Sequence, residues 1–191
     1  MMDNLKKYDI VLASNSPRRR ELLAGLGVEF RVETIKGLDE TYDESMPLNE
    51  VAAYLSQLKA SAYTLAPNEL IITADTIVLA AGEVMGKPHD RDDAYRMIRA
   101  LSGSTHEVIT GVTVATRDKK VTFSNVTEVT FASLTDEEIY YYIDEYKPFD
   151  KAGAYGIQEW IGYMGITGIN GCYYNVMGLP VNHLYIVLKE F

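Results

Sequence analysis

Residues Leu70 to Leu79 (LIITADTIVL) limit the possible folds more than any other stretch. A short apolar run rich in β-branched residues is the pattern of a β-strand, and this is the most strand-like segment of the chain. Thr73, Asp75 and Thr76 interrupt it. A carboxylate among Ile71, Ile72, Ile77 and Val78 is costly to bury unless it has partners. Two readings fit: Asp75 closes the strand at a functional site, or it binds backbone in a turn. A strand this apolar favours the site.

Around it, apolar periodicity predicts alternating strands and helices. Tyr8–Ser14 reads as a short strand. Ser16-Pro17 then opens a helix, because a serine oxygen accepts from a free N–H and proline has none to leave unpaired. Leu22, Leu23 and Leu26 form its apolar face and Gly27 its stop. Glu29–Ile35 alternates as a strand and the acidic stretch Gly37–Met46 is a loop. Asn49–Leu65 carries a helical stripe of Val51, Leu55, Leu58, Ala62 and Leu65. Gly82 and Gly86-Lys87-Pro88 signal turns, and Asp90 caps a helix ending near Gly103. Val108–Thr116 and Val121–Phe131 flank Asp118-Lys119 as a hairpin. Thr135 and Glu138 form a capping box for a helix to about Tyr146, stopped by Pro148. The glycines at 162, 165, 168 and 171 are read as turns within a hairpin. Pro180 opens a last helix with Leu184, Val187 and Leu188 inward. The class is therefore α/β, and 191 residues without a linker suit a single domain spanning 1–191, or two small lobes.

The formal charge of −9 argues against a nucleic-acid coat, which needs a basic face. It leaves room for a small anionic substrate, since binding answers to the local field. Cys172 is the single cysteine, so no internal disulfide can form, and the chain suits a reducing compartment. The charged start, with no apolar run near the ~20 residues of a membrane span, points to a cytoplasmic protein rather than a membrane one.

Four segments can carry chemistry. Ser14-Asn15-Ser16-Pro17-Arg18-Arg19-Arg20 links a strand to a helix, where free N–H groups, hydroxyls and guanidiniums suit phosphate; a capped helix with solvated arginines fits equally. Asp75-Thr76 is the second. Gly86-Lys87-Pro88 alone is a turn with a solvated lysine. Asp150–Gln158 (DKAGAYGIQ) allows close backbone approach to a ligand, and Gln158 can read a base edge as donor and acceptor; a glycine-rich surface loop is the other reading. No GxxxxGK[ST] loop is present. His89, His106 and His183 lack metal-ligand spacing. Cys172 reads as a buried small hydrophobe, and Tyr140–Tyr142 and Trp160 as packing.

Together LASNSPRRRELLAGLG, ITADTIVL, GKP, LSGSTHEVITGV, DKAGAYGIQ and YYNVMGLP resemble, in order and from about Ile10 to Leu188, the Maf proteins. These are nucleoside triphosphate pyrophosphatases, also called septum formation inhibitors. The resemblance implies a long twisted mixed sheet flanked by helices, two lobes around a central cleft, and kinship with inosine triphosphate pyrophosphatases. It implies hydrolysis of a triphosphate between the α and β phosphates with a divalent metal, Mg²⁺ or Mn²⁺. SPR, ADT and AYGIQ look like the branch acting on dTTP and UTP, with Arg18, Thr76 and Gln158 at the positions tied to substrate choice. Asp75 matches the proton acceptor, Glu40 an acidic position, and Lys59 and Lys87 family lysines. Glu159–Ile169 lacks the basic residues many members carry. A homodimer is a family-level expectation.

Physical chemistry makes that assignment coherent. Cleaving a triphosphate spreads charge onto leaving oxygens, which cations and fixed N–H donors must offset. Arg18, Lys59, Lys87 and the helix start at Ser14–Ser16 supply them. Asp75 and Glu40 repel phosphate unless they also hold a hard cation that bridges it. The competing functions are a nucleotide-binding regulator of cell division with little catalysis, the sister branch acting on 7-methyl-GTP, and a broad inosine or xanthosine triphosphate house-cleaner.

Overall fold

A computed structural model describes residues 2–191. Strands and helices alternate as β1 (Asp9–Leu12), α1 (Pro17–Gly25), β2 (Arg31–Val32), α2 (Val51–Ser61), β3 (Glu69–Ala80), β4 (Glu83–Met85), α3 (Arg91–Leu101), β5 (Thr105–Ala115), β6 (Lys120–Phe131), α4 (Asp136–Tyr146), α5 (Trp160–Gly165), β7 (Ile166–Asn170), α6 (Tyr173–Met177) and α7 (Val181–Leu188). The seven strands form one mixed sheet in the order β2-β1-β3-β5-β6-β7, with β4 paired to β3 off that path. β1 runs parallel to β2 and to β3, placing Leu12 opposite Val32 and Ile72. β4 is antiparallel to β3, and β7 to β6.

The local signals act as their chemistry requires. Ser16 accepts from the N–H of Arg19 with Pro17 as first helical residue, and Gly27 follows the helix at φ +72°. Asp90 caps α3 through the N–H of Asp93. Thr135 and Glu138 close both halves of the capping box on α4, an arrangement worth about 1 kcal/mol per cap.

The chain divides into two compact units. The first holds residues up to Asp75, Thr110–Asn125 and Gly178–Phe191; the second holds Thr76–Ile109 and Val126–Met177. In the first, Val11, Ile71 and Ala115 are buried together under Tyr63 and Leu65. In the second, Val78, Ile98, Leu101, Phe131, Ile139, Tyr142 and Ile161 belong to one core.

Four expectations change. The strand over Glu29–Ile35 shrinks to Arg31–Val32 because it ends the sheet and β1 offers it only Val11 and Leu12. The helix over Asn49–Leu65 stops at Ser61, since Tyr63 and Leu65 leave the helical path to cover the Val11 cluster. The glycines are not hairpin turns. Gly162 and Gly165 lie in α5 and Gly168 in β7, while Gly171, at φ +135°, lies against Thr127. Cys172 is half-buried rather than buried, its backbone carbonyl and N–H both bonded to the hydroxyl of Thr127.

Candidate active site

The first unit brings Asp75, Lys59 and Glu40 together, and strand and helix periodicity explains how. Thr73 and Asp75 lie two apart on β3 and share one face of the strand. Ser56 and Lys59 lie three apart on α2 and share one face of the helix. The Thr73 hydroxyl donates to the Ser56 carbonyl at 2.6 Å. One step further along both elements, Lys59 Nζ donates to Asp75 Oδ1 at 2.5 Å. Lys59 Nζ also lies 2.9 Å from Glu40 Oε2. α2 is held down by the Ser56 hydroxyl, 2.8 Å from that of Thr113, and by Gly111. A Cβ at Gly111 would fall 2.3 Å from backbone atoms of Ala52 and Ala53, so only glycine lets the helix approach β5 this closely.

Asp75 is not sealed in hydrocarbon: its side chain keeps 15% exposure and Lys59 17%, while Glu40 is about half exposed at 48%. The Lys59–Asp75 contact is the shielded one, where removing one partner costs most, and the contact to Glu40 is the more screened by water.

The strand-to-helix segment converges on the same place through Arg19, a residue the sequence reading passed over for Arg18. Arg19 donates from Nε to the Gly178 carbonyl at 2.8 Å, and from Nη1 to the Ala74 carbonyl at 2.9 Å and to Ser14 Oγ at 3.4 Å. It thus fastens α1 to the residue preceding Asp75. Burial lowers its pKa from the ordinary arginine value; Asp75 and Glu40 oppose that effect and Arg18 adds to it. Ser14 is buried and also accepts from the Ser16 N–H. Arg18 is half-buried. A signal for Arg19 was available: it precedes the buried Leu22 and Leu23 by three and four positions, so it shares their inward face.

Thr76, Lys87 and Gln158 belong to the second unit. Thr76 follows Asp75 on β3, and alternation sends its side chain to the opposite face. Lys87 is exposed beyond β4. One backbone bond, from Gly153 N–H to the Gly86 carbonyl at 3.0 Å, ties GKP to DKAGAYGIQ. Ala154, fully buried, takes φ +59°, an arrangement that costs about 1 kcal/mol or more for a residue with a Cβ. Gln158 Oε1 is buried without a hydrogen-bond partner among the described residues.

No group of three or more His, Cys, Asp or Glu among the described residues could by itself hold a metal. Asp75 and Glu40 nevertheless offer two hard oxygens that already converge on one cationic nitrogen. That donor set fits a hard divalent cation of the kind that binds through one or two carboxylates and completes its shell with water and phosphate. No helix among the described residues is long and apolar enough to cross a membrane.

The fold has solved counterparts. A HAM1 protein from Coxiella burnetii superposes with a TM-score of 0.53 at 14% identity, over 96% of this chain and 100% of that one. The Ham1 protein of Staphylococcus aureus gives 0.51 at 16%, over 95% and 98%. The architecture is therefore the one HAM1 proteins have. The family model for Maf-like proteins matches residues 9–191, and the chain belongs to that family. It is 59% identical over its full length to a protein of Phocaeicola vulgatus named dTTP/UTP pyrophosphatase, and 58% to one of Parabacteroides distasonis with the same name. A protein so named from Bacteroides thetaiotaomicron is 51% identical. Each match covers 100% of both chains.

Proposed function

We propose that this chain is a dTTP/UTP pyrophosphatase that converts these triphosphates to the nucleoside monophosphate and pyrophosphate. The observation that carries the reading is end-to-end identity above one half with proteins of that name. The relatives' names speak for this branch rather than for one acting on 7-methyl-GTP. A cytoplasmic location goes with it.

The chemistry follows from the chain's own groups. Lys59 holds Asp75 by Oδ1, which leaves Oδ2 to accept a proton from water. The water oxygen bonds to the α-phosphorus as the bridging oxygen leaves with its electron pair on pyrophosphate, and the proton passes to Asp75. Arg18, Lys87 and the start of α1 at Ser14–Ser16 offset the phosphate charge. Asp75 and Glu40 would hold a divalent cation, which neutralises phosphate oxygens and lowers the pKa of water. Gln158 reads the base: its unpartnered Oε1 suits the ring N–H between the two carbonyls of uracil and thymine, and its amide N–H₂ suits one of those carbonyls. Cytosine, without that N–H, leaves Oε1 unpaired and is penalised. Thr76 lies beside Asp75 at a second position proposed for substrate choice.

A panel of triphosphates with pyrophosphate detection tests this. dTTP and UTP should be turned over with Mg²⁺ and spared in EDTA. Asp75→Asn should fold and bind nucleotide while releasing pyrophosphate at least a hundredfold more slowly, on the order of a general base's contribution. Turnover of Asp75→Asn at the parent rate would remove Asp75 from the reaction.

A further inference from the structure

Tyr142, Glu159 and Lys151 form a polar network inside the second unit that no step above uses. Tyr142 is fully buried on α4, and Lys151 is 7% exposed. Such groups persist in a core only where each is paired. Here they are. The Tyr142 hydroxyl donates to Glu159 Oε2 and accepts the Gly156 N–H at 2.9 Å. Lys151 Nζ lies 3.1 Å from Glu159 Oε1 and 2.8 Å from Asp150 Oδ1.

These bonds surround one turn. The Glu159 N–H donates to the Gly156 carbonyl at 3.0 Å, closing Gly156-Ile157-Gln158-Glu159 with Gln158 at its third position. Both ends of the turn are fastened to the same phenol oxygen: the first through its N–H, the last through its carboxylate. The packing is close as well. A Cβ on Gly156 would lie 3.0 Å from Lys151 Cε and 3.1 Å from Glu159 Cδ, and one on Gly162 would lie 1.8 Å from the Ile157 carbonyl oxygen. The turn is thus held at both ends, and Gln158 Oε1 is its buried side-chain atom without a hydrogen-bond partner among the described residues.

We propose that Tyr142, with Glu159 and Lys151, is a positioning device that fixes the Gln158 turn and so sets base selection. This rests on Gln158 reading the base. An amide discriminates only when its direction is fixed before the base arrives; a mobile one turns over and presents N–H₂ to cytosine N3. Freeing the turn therefore relaxes selection between uracil and cytosine without touching the phosphate-handling groups of the first unit.

The test compares kcat/KM for UTP and CTP in the parent, Tyr142→Phe, Gln158→Ala and the double variant, each at a temperature where circular dichroism shows it folded. Tyr142→Phe removes one oxygen and keeps the ring. It should lower the UTP/CTP ratio about tenfold, the scale of one hydrogen bond, mostly through KM for UTP. The double variant should discriminate no worse than Gln158→Ala alone, because the two act on one step. Glu159→Gln, which still accepts from the phenol, should keep more of the ratio than Glu159→Ala and stands in if Tyr142→Phe does not fold. An unchanged ratio in Tyr142→Phe, with Gln158→Ala relaxed, overturns the positioning role alone. Additive losses in the double variant overturn it too. An unchanged ratio in Gln158→Ala overturns the base-reading assignment and this inference with it.

Discussion

His106 should make the protein acid-labile by an amount the structure sets. Its ring is 2% exposed, bonded from Nε2 to the Tyr155 hydroxyl at 2.8 Å and packed edge-on against Phe131 and Tyr155. Nδ1 is buried without a partner among the described residues, so nothing there stabilises a second proton. Burial pulls the imidazole from 6.5 down to about 4. The folded state thus refuses a proton that the unfolded chain takes up below 6.5. Stability is fully present above that value and is lost as pH falls toward 4, at ~1.4 kcal/mol per pH unit. Two units below the unfolded pKa the loss is about 2.5 kcal/mol. His106→Gln can still bond Tyr155 but does not titrate. Urea unfolding of parent and variant at about pH 7.5 and about pH 4.5 isolates the residue, because carboxylate contributions cancel in the difference. The parent's advantage at the higher pH should shrink by about 2.5 kcal/mol at the lower one. An advantage unchanged between the two would refute a neutral buried imidazole.

Lys59→Met leaves Asp75 shielded and without its cation, and should cost about 2 kcal/mol in urea unfolding, with slower pyrophosphate release. Gly111→Val places a side chain inside the α2 backbone at Ala52, and should cost about 3 kcal/mol or more, read as a lowered urea midpoint. Arg19→Met strips the Ala74 and Gly178 carbonyls of their donor; a loss of about 2 kcal/mol is expected, with reduced kcat because the strand end bearing Asp75 is no longer anchored.

How much of this was legible in the sequence depended on how local the cause was. The Thr135–Glu138 box and the Ser16-Pro17 start are decided within four residues, and both helices begin where those residues place them. Asp75 stood out because an acid in an apolar strand is itself a discrepancy. Lys59 was marked only by the family resemblance: by itself a lysine in the last turn of an amphipathic helix is ordinary, and it is the packing of α2 on β3, through the Ser56–Thr73 bond one step away, that turns it toward the acid. Among the three consecutive arginines, rotation about α1 decides which turns inward, and Leu22 and Leu23 decide that rotation. Residues 159–171 were misread because Gly162 answers to the Ile157 carbonyl and Gly171 to Thr127, contacts that no repeat spacing records.

The Lys59 arrangement also resolves the conflict between a −9 chain and a polyanionic substrate. Two carboxylates side by side would repel both each other and phosphate, and a shielded carboxylate is costly without a partner. Lys59 answers both needs with one nitrogen, binding Asp75 and Glu40 at once. Arg18 and Arg19 act on the same neighbourhood, since the Arg19 guanidinium feels Arg18, Asp75 and Glu40 together. Lys59, Arg18 and Arg19 thus set three cations beside these two anions, and attraction at this range follows the local field rather than the total over the surface. In the proposed reaction, these cations would let the two acids serve proton transfer and cation binding without repelling the triphosphate.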